Sequence, residues 1–164
     1  MFAMVLNRVG GPEVLEYQQV PTPQPAAGEV LIKIVCAGIN PADWKDRQGH
    51  LEQYYPYQFP YIVGFDAAGI VAQVGAGVSE YKVGDRVLTC SDHGQGRWGT
   101  YAEYVATSLA KVARLPDSLS FAQGATIPIS GLTAWQSVFV FGELQAGQTI
   151  LIHGAAGGVG SFAL

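Results

Sequence analysis

Apolar and polar positions alternate with a period of two in the first part of the chain and with a helical period later. The clearest alternation runs over Glu29–Ile39. There Val30, Ile32, Ile34 and Cys36 form a wholly apolar face, and Leu31, Lys33 and Val35 a mixed one. That pattern predicts a strand. Met4–Asn7 and Val14–Gln19 predict two shorter strands around Gly10-Gly11-Pro12. Ala67–Val74, Arg86–Cys90, Gly99–Ala106 and Lys111–Leu115 predict further strands, punctuated by Gly75, Gly77 and Gly84. Many short strands with glycine turns predict a barrel or sandwich.

One short helix interrupts this β pattern. Pro41–Gln48 predicts it, with Asn40 as N-cap, Pro41 at the first helical position and Gly49 as its end. A tyrosine-rich loop, His50–Tyr61, follows. Beyond Leu115 the period changes. Phe121–Thr126 and Gly131–Phe141 predict helices, and Leu132, Trp135, Val138 and Phe139 share one helical face. Thr149–Ile152 predicts a strand covered on both faces, ending at His153. A glycine-rich turn, Ala155-Ala156-Gly157-Gly158-Val159-Gly160, then opens a last helix. The predicted fold is mainly β with an α/β end: a barrel over 1–120, then two helices and a first βα unit over 121–164.

A strand, a turn of small residues and a helix start together predict a dinucleotide-binding turn. Small residues let the backbone approach a pyrophosphate, and the helix N-terminus offers free N–H groups and partial positive charge. Ala156, Gly157, Gly158, Val159 and Gly160 are therefore candidate cofactor-binding residues. Ala155 stands where the common fingerprint has its first glycine. The acidic residue expected about 20 positions further on, which would hold a ribose, falls past Leu164.

Composition narrows the function classes. The chain has 164 residues, 49% of them hydrophobic and 13% charged, with 21 glycines and 9 prolines. That describes a loop-rich globular protein and argues against disorder. The net charge is −4 and the nine Lys and Arg are scattered. Without a basic stripe, nucleic acid is not an expected partner. No apolar run reaches the roughly 18 residues that span a bilayer, so no membrane partner is expected. The N-terminus lacks a basic leader and apolar core, which makes the cytoplasm the expected location. Cys36 and Cys90 lie 54 positions apart with no Cys-x-x-Cys, and read as free thiols.

Several separate stretches resemble one family. Gly64-Phe65-Asp66-Ala67-Ala68-Gly69-Ile70-Val71, Gly75, Gly77, Val78 and Val83-Gly84-Asp85-Arg86-Val87 are similar to the medium-chain dehydrogenase/reductase superfamily. Asn40-Pro41-Ala42-Asp43 and Gly131-Leu132-Thr133-Ala134 fit the same pattern. Gly147-Gln148 with the later glycine turn resembles the zinc-independent quinone oxidoreductase and zeta-crystallin branch. The resemblance runs from Met1 to Leu164. It implies a GroES-like β barrel joined to a Rossmann domain that binds NAD(P)H, with NADP(H) expected ahead of NAD(H).

The resemblance also bears on metal and catalysis. Zinc alcohol dehydrogenases of this superfamily carry Cys where this chain has Asn40, and His-Glu where it has Phe65-Asp66. A further ligand position falls near Ile129. Zinc needs about four N, S or O donors, and the three histidines, His50, His93 and His153, belong to no spaced motif. No zinc is expected. Without a Lewis acid for an alkoxide, reduction of a quinone or an activated C=C (an enone) is the implied reaction.

Asn40 to Gly49 resembles the Asn-Pro-Val-Asp-x-Lys-x-Arg-x-Gly stretch of enone and chloroplast-envelope quinone oxidoreductases. In those relatives the lysine lies beside the nicotinamide, which makes Lys45 the catalytic and cofactor-binding candidate. Zeta-crystallin-like enzymes tend to have Tyr there, and by residue type alone Lys45 is a solvated helix charge. Asn40 is either a ribose or carboxamide contact or a plain helix cap. Thr133 is a nicotinamide contact by resemblance, or a hydroxyl bonded to its own helix. Tyr54, Tyr55 and Tyr57 are candidates to line a substrate pocket, or pack their loop. Asp66 and Arg86 read as ion-pair partners, and Asp85-Arg86 as serving a turn.

Relatives of this family are longer, so the sequence reads as a fragment. Its Thr149–His153 strand would have neither neighbours nor cover, and pairing with a second copy predicts a homodimer. Two functions stay open: a reductase represented by its catalytic domain and inactive in this length, or a non-catalytic barrel module without a cofactor site.

Overall fold

The structure, a computed structural model, describes residues 1–94 and 96–164. Strand β1 (Phe2–Leu6) pairs antiparallel with β2 (Leu15–Gln19). The chain then forms β3 (Glu29–Ala37), helix α1 (Pro41–Arg47), β4 (Asp66–Val74), β5 (Arg86–Cys90), β6 (Tyr104–Ser108) and β7 (Val112–Arg114). These five strands make one antiparallel sheet in the order β6-β3-β4-β5-β7. Helices α2 (Phe121–Gly124) and α3 (Pro128–Trp135) follow, then a π-helical turn Gln136–Phe141 and α4 (Gly158–Ala163).

The sheet closes over Val30, Ile32, Val71, Val87 and Val105, all buried. Each such side chain is worth about 1.5–3 kcal/mol of burial. At its first residues β3 is buried on both faces, and from Lys33 onward burial alternates. At the β3–β4 crossing Gly69 lies against Lys33, and a Cβ there would collide with the Lys33 carbonyl. The β1–β2 ribbon is stitched to the sheet side by bridges Leu6↔Tyr61 and Ala3↔Ala102. A second core of Leu6, Val14, Tyr61 and Val63 lies beneath it.

Several boundaries differ from the sequence expectation. Val14 closes a short 3-10 turn, Pro12–Val14, and the second strand begins at Leu15. The expected strand Gly99–Ala106 is displaced to Tyr104–Ser108, because the amides of Gly99, Thr100 and Tyr101 donate to Ile62, Gly64 and Val63 instead. Helix α1 ends where Gly49 takes a positive φ of 89°, as a helix-terminating glycine does. The expected helix Gly131–Phe141 begins at Pro128, and its second half widens to π geometry. Its predicted inner face is not the covered one. Val138 is buried, but Leu132, Trp135 and Phe139 are exposed.

The expected strand Thr149–Ile152 forms no ladder. A strand is held by its neighbours' N–H and C=O groups, and none of the described strands lies alongside it. Leu151 is exposed. Of the two expected ion-pair partners, Arg86 forms an ion pair and Asp66 forms none among the described residues. Arg86 meets Asp117 at 3.1 Å, while Asp66 points to a different set of partners. Asp85 does serve a turn, accepting from the Lys82 amide at 3.0 Å.

Candidate functional site

Helix α1 is short and polar, and its position is fixed by hydrogen bonds rather than by apolar packing. Asn40 is extended at its N-cap, and its amide donates to the Asp43 carboxylate at 2.6 Å. Asp43 and Asp46, three positions apart, share the inner face and are buried, while Trp44 and Lys45 face outward and are exposed. The Asn40 side-chain amide donates to Asp66 Oδ2 at 3.0 Å. The Asp66 carboxylate also accepts from the backbone amide of Ile129, at 3.1 Å to each oxygen. One buried carboxylate thus ties together the cap of α1, the start of β4 and the start of α3.

Around this knot lies a cleft of about 330 Å3, lined by Gly38, Asn40, Asp66, Ser130, Gly158 and Phe162 among others. The cap residue Asn40 and the glycine turn therefore meet in one cleft. A Cβ at Gly158 would stand 2.8 Å from Ser130 Oγ, so a larger residue would fill the cleft at that point. Gly157, Gly158, Val159 and Gly160 also line an adjoining groove of about 510 Å3 beside Ile150–Gly154. Gly157 caps α4, and the leading N–H groups of a helix have no partner within it. This backbone fits the pyrophosphate-facing part of a dinucleotide site. Ala156 is exposed and lines neither space. Thr133 is exposed on α3 and lines neither.

The zinc ligand positions of the resemblance carry a carboxamide committed to Asp66, a phenyl ring and an alkyl chain. Among the described residues no three His, Cys, Asp or Glu side chains gather as a metal site. The donor set does not fit zinc.

Burial pushes the Asp66 carboxyl up from 3.8 to about 6; the bonds from Asn40 and Ile129 oppose that shift and Asp43 adds to it. The native state therefore holds a proton that the unfolded chain has lost between about pH 4 and 6. Stability must fall as pH rises through that window, by roughly 3 kcal/mol for this group. Asp66→Asn is expected to flatten stability against pH there. Urea midpoints at pH 4, 5 and 6 check it; a slope unchanged from wild type would show that Asp66 does not titrate in this range.

The tyrosine loop is built differently from a lid. Tyr54 is exposed. The Tyr57 hydroxyl donates to the Asp46 carbonyl at 3.0 Å and accepts from the Leu51 amide at 3.2 Å. The Tyr55 hydroxyl donates to Asp46 Oδ1 at 2.9 Å. Of the three, Tyr55 lines a second open cavity of about 480 Å3, with Phe65, Cys90, Ser91, His93, Arg97 and Lys111. Burial pushes the Cys90 thiol up to about 11, so it stays protonated at neutral pH.

Sequence reasoning missed the buried cluster behind this cavity. Asp46 Oδ2 accepts from the Tyr61 hydroxyl at 2.9 Å and lies 2.9 Å from His93 Nε2, with both the Asp46 and His93 side chains fully buried. Burial alone would raise the Asp46 carboxyl, but bonds from His93, Tyr55 and Tyr61 outweigh it and hold it below the ordinary value. The local signal was two acids three apart on a capped helix. Their histidine partner lies 47 positions away, where nothing in the sequence announces it.

The comparisons agree with this architecture. The profile of the alcohol dehydrogenase GroES-like domain matches residues 26–117. The quinone-oxidoreductase homolog, chloroplastic, of Spinacia oleracea is 40% identical over 161 residues, 94% of this chain and 48% of its own length. Among solved structures, a mycobacterial protein complexed with NADPH has a TM-score of 0.87 and 35% identity, over 99% of this chain and 48% of its own. The CurK enoyl reductase has a TM-score of 0.87 and 32% identity, over 99% of this chain and 49% of its own. The chain spans about half the length of the curated relatives it matches.

Proposed function

Since this chain belongs to the alcohol dehydrogenase GroES-like domain family, as a quinone oxidoreductase-like member of the medium-chain dehydrogenase/reductases, we propose that it carries the catalytic domain of a zinc-independent reductase. Its acceptor is a quinone or the activated C=C of an enone, and its cofactor is NADP(H) rather than NAD(H). The domain runs over 1–120, and 121–164 begins the dinucleotide-binding half. The observation that carries this reading is the shared cleft of Asn40, Asp66 and Gly158. The mycobacterial complex with NADPH supports the cofactor, and the enoyl reductase supports an activated C=C.

When bound, the nicotinamide supplies a hydride. The chain's own residues then have three tasks. The backbone at Gly157–Gly160 receives the pyrophosphate, as helix N-termini do. Asn40, fixed by Asp66, orients the ribose or carboxamide. Lys45, at the surface of α1, meets the charge that develops on the acceptor oxygen. We assign Tyr55 the acceptor side, with a homodimer as the working assembly. We place the protein in the cytoplasm; among the described residues, no helix is long and apolar enough to cross a membrane.

The test is NADPH oxidation with a simple quinone and with an enone, by the full-length architecture and by this chain, alongside elemental analysis. Turnover without stoichiometric zinc is expected from the full-length form. The 164-residue chain alone is expected to bind NADPH weakly or not at all, because its Gly158–Ala163 helix is short and short helices are marginal without support. Tightly held zinc, or no turnover of either acceptor, would return the choice to an alcohol dehydrogenase or a non-catalytic barrel module.

A further inference from the structure

Where α3 passes the glycine turn, the fold leaves a hydroxyl uncommitted. The side chains of Thr126, Ser130 and Ser161 all line the cleft of about 330 Å3. The Thr126 hydroxyl donates to the Gln123 carbonyl at 2.8 Å, and the Ser161 hydroxyl to the Gly158 carbonyl at 2.9 Å. Both protons are held by nearby backbone, as those of helical Ser and Thr commonly are. Among the described residues no such bond holds the Ser130 hydroxyl. Ser130 is half-buried, and its oxygen is not one of the enclosed atoms without a partner. The hydroxyl is free and within reach of the cleft.

Its direction follows from Gly158. Ser130 is the third residue of α3, and Gly158 opens α4. A Cβ at Gly158 would stand 2.8 Å from Ser130 Oγ, too close for a real side chain, but 3.7 Å from Ser130 Cβ, an ordinary contact. The conflict is with the hydroxyl, not with the carbon that carries it. Glycine at 158 therefore keeps open the space into which the hydroxyl points. Close packing of α3 on α4 accounts for a small residue at 130, but it needs no hydroxyl, since alanine would meet Gly158 equally well.

The charge of the cleft limits what can hold an anion there. Among the described residues, no Lys or Arg lines it, and Asp66 is its one charged side chain. The Asp66 oxygens already accept from Asn40 and from the Ile129 amide. An anion beside Gly158 therefore rests on neutral donors, the backbone N–H groups of the turn and this hydroxyl. A hydroxyl gives one hydrogen bond, and a bond to an ionised acceptor is about twice as strong as a neutral one.

We infer that Ser130 is a binding residue for the dinucleotide, its hydroxyl donating to a phosphate oxygen of the pyrophosphate received at Gly157–Gly160. The choice of ligand rests on the NADP(H) reading above. Gly158 is glycine because the hydroxyl and the phosphate need the space that a Cβ would take. Asn40, in the same cleft, is left for the ribose or carboxamide. The bond forms without loss inside the protein, since the hydroxyl has no partner to give up. It ties α3 to the cofactor from outside the glycine turn.

The test is equilibrium binding rather than turnover. In the full-length form, NADPH is titrated by its fluorescence and ADP by competition, and unfolding of the ligand-free protein is measured beside them. ADP carries two linked phosphates but neither the nicotinamide nor its ribose. Ser130→Ala is expected to raise the Kd for NADPH and for ADP alike by about tenfold, the size of one hydrogen bond to a charged group. Alanine suits a helix, so the ligand-free unfolding midpoint is expected to hold. An unchanged Kd for NADPH would overturn the proposal, and a lowered midpoint with it would make Ser130 a packing residue. Weaker NADPH binding with unchanged ADP binding would put the hydroxyl on the nicotinamide half and overturn the phosphate contact. Each of these failures spares the cofactor reading, whereas a wild type that binds no NADPH sinks both.

Discussion

Asp46→Ala is expected to lower the stability of this chain by roughly 2–5 kcal/mol, since each buried donor left without its partner costs about 1–3 kcal/mol. The substitution removes the acceptor of the Tyr55 and Tyr61 hydroxyls and of His93 Nε2 in a single step. Two of the three donors sit where water does not replace the carboxylate easily. Tyr61 is buried, and the His93 side chain is fully enclosed. The sign of the pH dependence follows from the folded-state carboxyl, which lies below its ordinary value of 3.8. The contribution of Asp46 is complete above about pH 4 and is lost as pH falls further. The gap between wild type and variant should therefore be widest at neutral pH and narrow in acid. Guanidinium unfolding at pH 7 and pH 3 measures both. A loss below about 1 kcal/mol at pH 7, the level of an exposed ion pair, would mean that the cluster is solvated.

This prediction and the Asp66 prediction have opposite signs, and the reason is local. Both carboxylates are buried. Asp46 has a histidine within 2.9 Å, whereas Asp66 has only neutral donors and the nearby Asp43. The two buried acids, Asp46 beneath α1 and Asp66 at its cap, thus respond to acid in opposite directions.

Much of the barrel was legible in the chain. Val30, Ile32, Val71 and Val87 alternate with neighbours of different polarity, and a sheet face needs that spacing. Asn40-Pro41 and Gly49 carry the start and stop of α1 in their own chemistry. What failed were predictions that depend on a partner. Thr149–Ile152 has the composition of a strand, but a ladder needs a second strand. The face of Leu132, Trp135 and Phe139 has helical spacing, but periodicity does not say what covers it. The site divides in the same way. Asn40 and Gly158 were named from the sequence and meet in one cleft. His93 was passed over, because a lone histidine gains meaning only when folding brings Asp46 beside it.

Lys45→Ala, tested in the full-length form, is expected to lower kcat/KM for the acceptor by about 10²–10³-fold while leaving the fold unchanged. Stability should hold because Lys45 is exposed, with its Nζ 5.6 Å from the Trp44 ring centroid. Exposed substitutions usually stay within about 0.5 kcal/mol. The helix beneath it is not free to shift. Asp43, Asp46 and Asn40 fix α1 from the inner side, so position 45 projects from a rigid mount on a flexible stem. A cation there meets negative charge on the acceptor oxygen only as hydride arrives, and one such donor is worth about 2.7–4 kcal/mol. A donor that acts only in the transition state lowers kcat and kcat/KM together, whereas one that positions cofactor mainly raises the KM for NADPH. Lys45→Arg separates the two, since it keeps the charge but changes donor geometry. Steady-state kinetics with both substrates varied decides between them. Kinetics equal to wild type for cofactor and acceptor would leave Lys45 as a solvated helix charge.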